Sequence, residues 1–192
     1  MKMLYKYPHA AFPYERLLQE SRARTKQDSE FELVDTGIFG EGRYFDIFLE
    51  YAKAGQHDML IRIEAFNRGP DPAPLHLFPH LWFRNTWSWG LPESTKPLIT
   101  WQAESRLEAR HARFGSWWLH AQASPRPKVL CTENETNKER LFGAPNAAAY
   151  VKDGIHEAVV NGIAEAVNPK REGTKAALEY SFRVPPGQSA RI

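Results

Sequence analysis

Apolar and polar positions alternate most clearly in the middle of the chain, over residues 74–90 (PLHLFPHLWFRNTWSWG). Leu75, Leu77, Leu81 and Phe83 occupy one set of alternate positions, and a period of two predicts a strand. The other set consists of imidazoles, aromatic rings and a guanidinium, at positions 76, 78, 80, 82 and 84. Such a face is either a second buried layer or a platform for a flat, polyhydroxylated ligand.

Two further alternating runs precede this stretch, at residues 45–51 and 59–65. They are joined by a short segment that contains a glycine, which is the pattern of a β-hairpin. Since the central strand follows them after one turn, residues 43–84 are predicted to form a meander of three antiparallel strands.

The rest of the chain shows short strand patterns at a spacing near ten residues, with turn signals between them. Strands are predicted at residues 98–103, 106–111, 117–123, 128–132 and 177–184. This spacing is typical of an all-β sandwich. Short helices are predicted from Pro13 to about Thr25 and over residues 135–142 and 153–161, whereas residues 1–11 are predicted to be irregular and residues 31–34 to be a brief strand.

The predicted fold is therefore an all-β, antiparallel β-sandwich (supersandwich-like) with a few short helices. Residues 1–192 are expected to form a single β-sandwich domain. A last strand begins at Gln188 and the chain stops at Ile192, which is shorter than a typical strand of about 5–6 residues. We therefore expect this domain to be part of a larger multidomain protein.

Composition narrows the class of protein. Of the 192 residues, 42% are hydrophobic and 25% are charged, as in a soluble globular protein with a core. The formal net charge is +2 and like charges form no long block, so neither nucleic-acid nor membrane partners are predicted. The single Cys131 suits a reducing compartment, and no secretory signal or apolar run of membrane length is present. A cytoplasmic location is expected.

The aromatic end of the central stretch supplies the candidate binding residues. They are Trp82, Arg84, Asn85, Trp87 and Trp89. Indole faces stack on the apolar faces of sugar rings, and arginine or asparagine donates directional hydrogen bonds to hydroxyls. In the competing interpretation, the tryptophans fill the interface between two sheets or contact a neighbouring domain.

No catalytic residue, metal ligand or cofactor site is predicted. His76 and His80 lie four positions apart, which on a strand is about 13 Å and too far for one metal ion. Glu133, Glu135 and Glu139 are close in sequence, but their spacing selects no pair of carboxylates for glycoside hydrolysis. Structural or solvated roles are expected for them.

The sequence resembles the N-terminal region of bacterial glucosidase-like glycoside hydrolases, which are related to family 63 and to the mannosylglycerate-hydrolase-like clan. Several short motifs occur in the same order in both. The resemblance covers essentially the whole chain. It rests on residues 4–8 (LYKYP), 12–14 (FPY), 33–37 (LVDTG), 43–46 (RYFD), 50–53 (EYAK), 61–63 (IRI), 67–70 (NRGP), 74–90, 133–137 (ENETN), 139–143 (ERLFG), 150–154 (YVKDG) and 168–169 (NP).

The resemblance implies an N-terminal β-sandwich that packs on a much larger (α/α)6 catalytic barrel. The carboxylates that cleave the glycosidic bond would belong to that barrel, so none is carried over to this chain and the chain alone is expected to be inactive. The expected partners are the catalytic domain and an oligosaccharide or glucoside. A stand-alone carbohydrate-binding module and a purely structural domain without sugar contact remain the alternatives.

Overall fold

A computed structural model describes residues 1–91, 95–103, 105–122 and 125–192. The protein is mostly β, with 40% of residues in strands arranged in three antiparallel sheets, and its helices are short. The strands are β1 (Lys2–Pro8), β2 (Tyr44–Gly55), β3 (Asp58–Asn67), β4 (Ala73–Leu77), β5 (His80–Trp82), β6 (Leu98–Gln102), β7 (Arg106–His111), β8 (Gly115–His120), β9 (Lys128–Thr132), β10 (Glu172–Gly173), β11 (Lys175–Val184) and β12 (Ser189–Arg191).

The chain divides into two compact units, Met1–Leu75 with Phe182–Ile192, and His76–Ser181. The first unit holds a sheet in the order β1-β2-β3-β12. Its centre is the predicted hairpin of β2 and β3, in which Glu50 lies directly opposite Arg62 and forms an ion pair with it. The hairpin prediction is confirmed, and both strands are longer than the sequence pattern indicated.

A buried asparagine ends the hairpin of the first unit. The side chain of Asn67 is fully buried. Its Nδ2 donates to the carbonyl oxygens of Asp71 and Val184, each at 2.8 Å, and its Oδ1 accepts from the Gly69 amide at 2.8 Å. A buried amide that satisfies three hydrogen bonds fixes the path of the turn after β3.

The second unit contains the sheet β10-β6-β7-β8, in which β8 is an edge strand. The third sheet has the order β4-β11-β5, with β9 paired to β11. Leu130, Ile155 and Ala177 form a buried cluster of this unit, and Phe78 packs against it. The predicted strands at residues 98–103, 106–111, 128–132 and 177–184 are confirmed. The end of the predicted strand at residues 117–123 includes Ala123, which lies outside the described residues.

The three predicted helices are confirmed as α1 (Tyr14–Ala23), α2 (Lys138–Phe142) and α3 (Gly154–Val160). In α2 the Asn137 side chain accepts from the Arg140 amide at 3.1 Å, and Gly143 ends the helix in the left-handed conformation at φ 65°. Only the C-terminal half of the predicted segment 135–142 is helical. Glu135 thereby lies before the helix, outside regular secondary structure, and its side chain reaches the loop after β5.

The all-β, sandwich-like class is confirmed, but the predicted meander is wrong. The neighbours of β3 are β2 and β12, whereas β4 lies beside β11 in another sheet. The central stretch is also two strands rather than one, because Pro79 has no amide hydrogen to donate to the ladder. The carbonyl of Pro79 still accepts a hydrogen bond from the Leu178 amide at 3.0 Å.

Two local predictions are also wrong. Residues 2–8 form β1 rather than irregular structure, because they pair with β2 along their whole length. The segment around Leu33 is a 3-10 helix (Leu33–Thr36) and not a strand. Trp117 and Trp118 lie next to each other on β8, and their exposed fractions are 47% and 45%.

Within the part of the chain that the structure describes, no helix is long and apolar enough to cross a membrane.

Candidate functional site

The central stretch keeps its predicted alternation in the second unit. Leu77 is buried and Leu81 and Phe83 are half-buried, whereas His80, Trp82 and Arg84 are exposed. The indole of Trp82 is 55% exposed on β5. The part of the second face formed by His80, Trp82 and Arg84 is therefore turned toward solvent within this chain and is available for a ligand or another domain, whereas Phe78 of the same alternate set packs against the buried cluster.

After β5 the chain forms a tight loop that brings two candidate residues together. A short 3-10 helix (Trp87–Trp89) ends at Gly90, whose φ of 69° is in the left-handed region. The guanidinium carbon of Arg84 lies 5.0 Å from the ring centroid of Trp89, within the range of a cation–π contact. Trp89 is 54% exposed. Arg84 and Trp89 thus form one composite surface of charge and aromatic ring.

Asn85 has a local role in the same loop. Its Oδ1 accepts a hydrogen bond of 3.3 Å from the Ser88 amide at the start of the short helix. An asparagine in this position satisfies a backbone donor that the helix leaves unpaired. The side-chain oxygen thereby shapes the loop.

Trp87 is the most anchored of the three central tryptophans. Its Nε1 donates a hydrogen bond of 3.1 Å to Oε1 of Glu135, which lies in the extended segment after β9. The side chain is partly buried, unlike those of Trp82 and Trp89. Trp87 therefore attaches the loop to the segment that precedes α2.

A lysine links Glu135 to a second carboxylate. The Nζ of Lys96 lies 3.0 Å from Glu133 Oε1 and 3.4 Å from Glu135 Oε1. Burial disfavours the charged form of Lys96, but its hydrogen bonds and charge attraction to Glu133 and Glu135 outweigh this and raise its pKa above the ordinary value. Lys96 is therefore a fixed positive charge between the two glutamates.

Asn134 and Thr174 connect the segment of Glu133 and Glu135 to the ends of β5 and β11. Thr174 Oγ1 donates to Glu133 Oε2 at 2.7 Å and accepts from the Asn134 amide at 2.7 Å. The Asn134 side chain donates to the carbonyl oxygen of Phe83 at 2.9 Å. Gly173 packs against the backbone of Thr132 with no room for a Cβ atom. The glutamate segment is thus positioned by contacts with Phe83, directly after β5, and with Thr174, between β10 and β11.

The two histidines of the stretch belong to separate environments. His76 Nδ1 lies 3.0 Å from Glu179 Oε1 and 3.2 Å from the hydroxyl of Ser181. Although part of the His80 side chain is exposed, desolvation by the surrounding protein and the charge of Lys175 lower the pKa of its imidazole. Among residues 1–91, 95–103, 105–122 and 125–192, no group of three or more His, Cys, Asp or Glu side chains is placed to hold a metal ion.

The structure adds Lys96, Glu133, Glu135 and Thr174 to the residues proposed from the sequence. None of them stands out by spacing, because the contacts join positions 37 or more apart along the chain. Glu133 and Glu135 belong to the motif ENETN at residues 133–137. That motif supports the family resemblance, but it gives no indication of a contact with the tryptophans.

The chain is 36% identical to the uncharacterized protein YMR196W of Saccharomyces cerevisiae over an alignment of 226 positions. The alignment covers 100% of this chain and 21% of the yeast protein, so the chain spans about a fifth of that relative's length. No protein-family model matches the chain. No solved structure matches it.

Proposed function

We propose that this chain is a non-catalytic N-terminal domain of a glycoside hydrolase-like protein, which packs on an (α/α)6 catalytic barrel and helps to shape a carbohydrate-binding cleft. The observation that carries the proposal is the pair of half-exposed indoles, Trp82 and Trp89, with the Arg84 guanidinium over the second ring. Stacking of sugar rings on exposed indoles, beside a cation that donates hydrogen bonds, is the physical basis of many carbohydrate sites.

A role inside a longer protein is supported by the yeast relative, in which the matched region is 21% of the length. The resemblance of the short sequence motifs to those of glucosidase-like hydrolases suggests that the partner domain is a catalytic (α/α)6 barrel. The exposed face of Trp82 would lie against that domain or against its sugar.

A non-catalytic role is supported by the contacts of the two glutamates nearest the indoles. Glu133 accepts from Thr174, Glu135 accepts from Trp87, and Lys96 lies between the carboxylates. Glycoside hydrolysis needs one carboxyl group as a proton donor and a second as base or nucleophile, both facing the substrate. Here both carboxylates are engaged in holding the loop to its neighbours, so catalysis is assigned to the partner domain.

The proposal includes a cytoplasmic location. It is supported by the use of one cysteine, Cys131, which has no second cysteine in this sequence with which to form a disulfide.

A stand-alone carbohydrate-binding module is the second candidate, and the exposure of Trp82 and Trp89 favours it over a purely structural domain. Calorimetric titration of the chain with maltotriose and with cellotriose tests sugar contact for both. We expect measurable binding that Trp89→Ala removes and that Trp118→Ala, which deletes an indole of similar exposure on β8, leaves unchanged. Equal binding by both variants, or no binding to the folded chain, would contradict sugar contact at these indoles.

A hydrolysis assay on the same purified chain distinguishes a non-catalytic domain from an independent enzyme. We expect no hydrolysis of p-nitrophenyl glucosides by the chain alone. Turnover that survives purification and is lost in Glu133→Gln or Glu135→Gln would overturn the assignment of catalysis to another domain.

A further inference from the structure

The sheet of the first unit has one face made of apolar and aromatic side chains. Directly opposite residues in antiparallel strands point to the same face, and the register places Met3, Leu49 and Ile63 side by side. Met1 continues this face, because its backbone exchanges two hydrogen bonds of 2.8 Å with that of Tyr51. The face consists of the odd-numbered positions of residues 1–7, 45–51 and 59–65, each of which is Met, Tyr, Phe, Ile, Leu or Ala. We call it the apolar sheet face.

The opposite face of the same sheet carries paired charges. Two carboxylates there each form ion pairs with two cations: Glu50 with Lys2 and Arg62, and Asp46 with Lys6 and Arg68. The Nζ of Lys2 also lies 5.0 Å from the ring centroid of Phe48, within the range of a cation–π contact. An antiparallel sheet commonly turns one face to water and packs the other against a second layer. The charged face is suited to water, so the apolar sheet face is the one that needs a partner.

The apolar sheet face is only partly covered within this chain. Met3 on β1 is 49% exposed and Met59 on β3 is 58% exposed. Leu49 and Tyr51 lie on β2 between these strands and are half-buried, whereas Ile47 is buried. Exposed side chains from adjacent strands form one contiguous patch, and contiguous apolar patches mark interaction sites in a way that scattered exposed residues do not.

The edge of β3 beside this patch also offers backbone groups to a partner. Ile63 exchanges two backbone hydrogen bonds with Ile192, at 2.9 and 3.0 Å. Because the pattern of an antiparallel ladder repeats every two residues, Ile61 and Met59 present their N–H and C=O groups along the same edge. The described part of the chain places no further strand there. Unpaired strand groups are satisfied by another polypeptide segment.

Two observations identify the kind of occupant. In the yeast relative the matched region is 21% of the length, so most of that protein lies outside the match and could supply a covering layer. A membrane-binding surface combines apolar side chains with several lysines or arginines that attract anionic lipids. The positions of the apolar sheet face are uncharged, and Lys53 lies beyond them at the tip of the hairpin. Both the chemistry of the face and the open edge therefore favour a polypeptide over a lipid surface.

We propose that the apolar sheet face is the docking surface for a segment of the longer polypeptide outside residues 1–192, which covers Met3, Met59 and Ile61 with its own apolar side chains. The inference rests on the longer protein of the preceding proposal. It does not rest on sugar binding, because Trp82 and Trp89 belong to the second unit.

The methionines of the chain supply the test, because all three of them, Met1, Met3 and Met59, lie on this face. Oxidation of methionine to its sulfoxide by hydrogen peroxide depends on exposure of the side chain. The rates at Met3 and Met59 are measured by peptide mass spectrometry in the 192-residue chain and in the longer protein expressed from the complete gene. We expect oxidation to be about tenfold or more slower in the longer protein, since a docking equilibrium constant of about ten leaves the face open for about a tenth of the time.

Leu60→Met is the matched control in both proteins. Leu60 lies between Met59 and Ile61 on the opposite face of the sheet and is 61% exposed, close to the 58% of Met59. Its sulfoxide should form at the same rate in the two proteins. Ile61→Asp, which places a charge in the docking surface, should return the oxidation rate of Met59 in the longer protein to that of the 192-residue chain, whereas Leu60→Asp should leave it slow.

Equal oxidation of Met59 in the two proteins, or a complete gene that encodes no further residues, would overturn the proposal. Slow oxidation in the 192-residue chain would also overturn it: slowing that disappears on dilution assigns the face to a second copy, and slowing that persists assigns it to another part of this chain. Slowing of the 192-residue chain by vesicles of phosphatidylcholine and phosphatidylglycerol, with no slowing in the longer protein, assigns the face to a membrane. The sugar titrations with Trp89→Ala decide the carbohydrate role separately, whichever result Met59 gives.

Discussion

The indole nitrogen of Trp87 donates a hydrogen bond of 3.1 Å to a carboxylate oxygen of Glu135, 48 residues further along the chain. The contact joins the loop after β5 to the segment before α2. The position of the exposed Trp89, two residues beyond Trp87, therefore depends on a carboxylate that the sequence does not place near it.

A double-mutant cycle of Trp87→Phe and Glu135→Ala measures this contact. We expect a coupling energy of about 1 kcal/mol in urea unfolding, because the hydrogen bond is made to a charged acceptor but is only partly buried. Trp117→Phe combined with Glu135→Ala is the control, since the Trp117 indole donates to the carbonyl of Phe114 instead. Additive effects in the Trp87 cycle, matching those of the control, would show that the contact contributes nothing.

The predictable part of the fold is the part that local periodicity encodes. The alternation of Leu75 and Leu77 predicts their burial, and the pattern of β2 and β3 predicts the hairpin. Pairing of β1 with β2 was missed because Leu4 interrupts the alternation of Met3, Tyr5 and Tyr7 with two lysines, and because six of the seven β1 residues are exposed. Neighbouring strands within a sheet can be far apart in sequence, as for β4 and β11, and local periodicity does not predict such pairs.

In the candidate site too, the local part can be predicted from the sequence and the long-range contacts cannot. The five residues proposed from the sequence lie on one strand and the loop after it, so their proximity is a local property. Their anchors, Lys96, Glu135 and Thr174, come from other parts of the chain. A single sequence carries no signal for such pairings, because any of the 23 acidic residues could in principle have faced the loop.

Gly173 is expected to tolerate no side chain. A Cβ atom at this position would overlap the carbonyl oxygen of Thr132, which belongs to the backbone and cannot rotate away. We expect Gly173→Ala to lower the free energy of unfolding by about 1–3 kcal/mol, measured by urea denaturation. Gly40→Ala is a matched control, because a Cβ there meets no atom within 4 Å. Equal effects of the two substitutions would contradict the close packing at Gly173.

Asp46 gives the first unit a specific dependence on pH. Burial disfavours its ionised form, but hydrogen bonds and charges from Lys6 and Arg68 outweigh this and hold its pKa below the ordinary value of 3.8. Because the pKa is lower in the folded state, the carboxylate stabilises the fold above pH 3.8. That stabilisation is lost as the pH falls through 3.8 toward the lowered value.

Chemical unfolding between about pH 6 and pH 2.5 checks this dependence. The free energy of unfolding of the unmodified chain should fall more over this pH range than that of Asp46→Asn. We expect a difference of about 1 kcal/mol, because the two ion pairs of Asp46 are partly exposed. Glu50 also has a lowered pKa, caused by Lys2 and Arg62, so both proteins should keep a residual dependence. Identical pH profiles would show that the Asp46 contacts add no stability.

The central claim is that the exposed indoles on and after β5 contact carbohydrate. The six tryptophan indole N–H signals in a two-dimensional NMR spectrum test it most directly, assigned by single Trp→Phe variants and followed during titration with maltotriose and cellotriose. We expect the Trp82 and Trp89 signals to shift in a saturable manner while those of Trp117 and Trp118 stay in place. Saturable shifts confined to Trp117 and Trp118, or no shift of any indole signal at millimolar sugar, would contradict it.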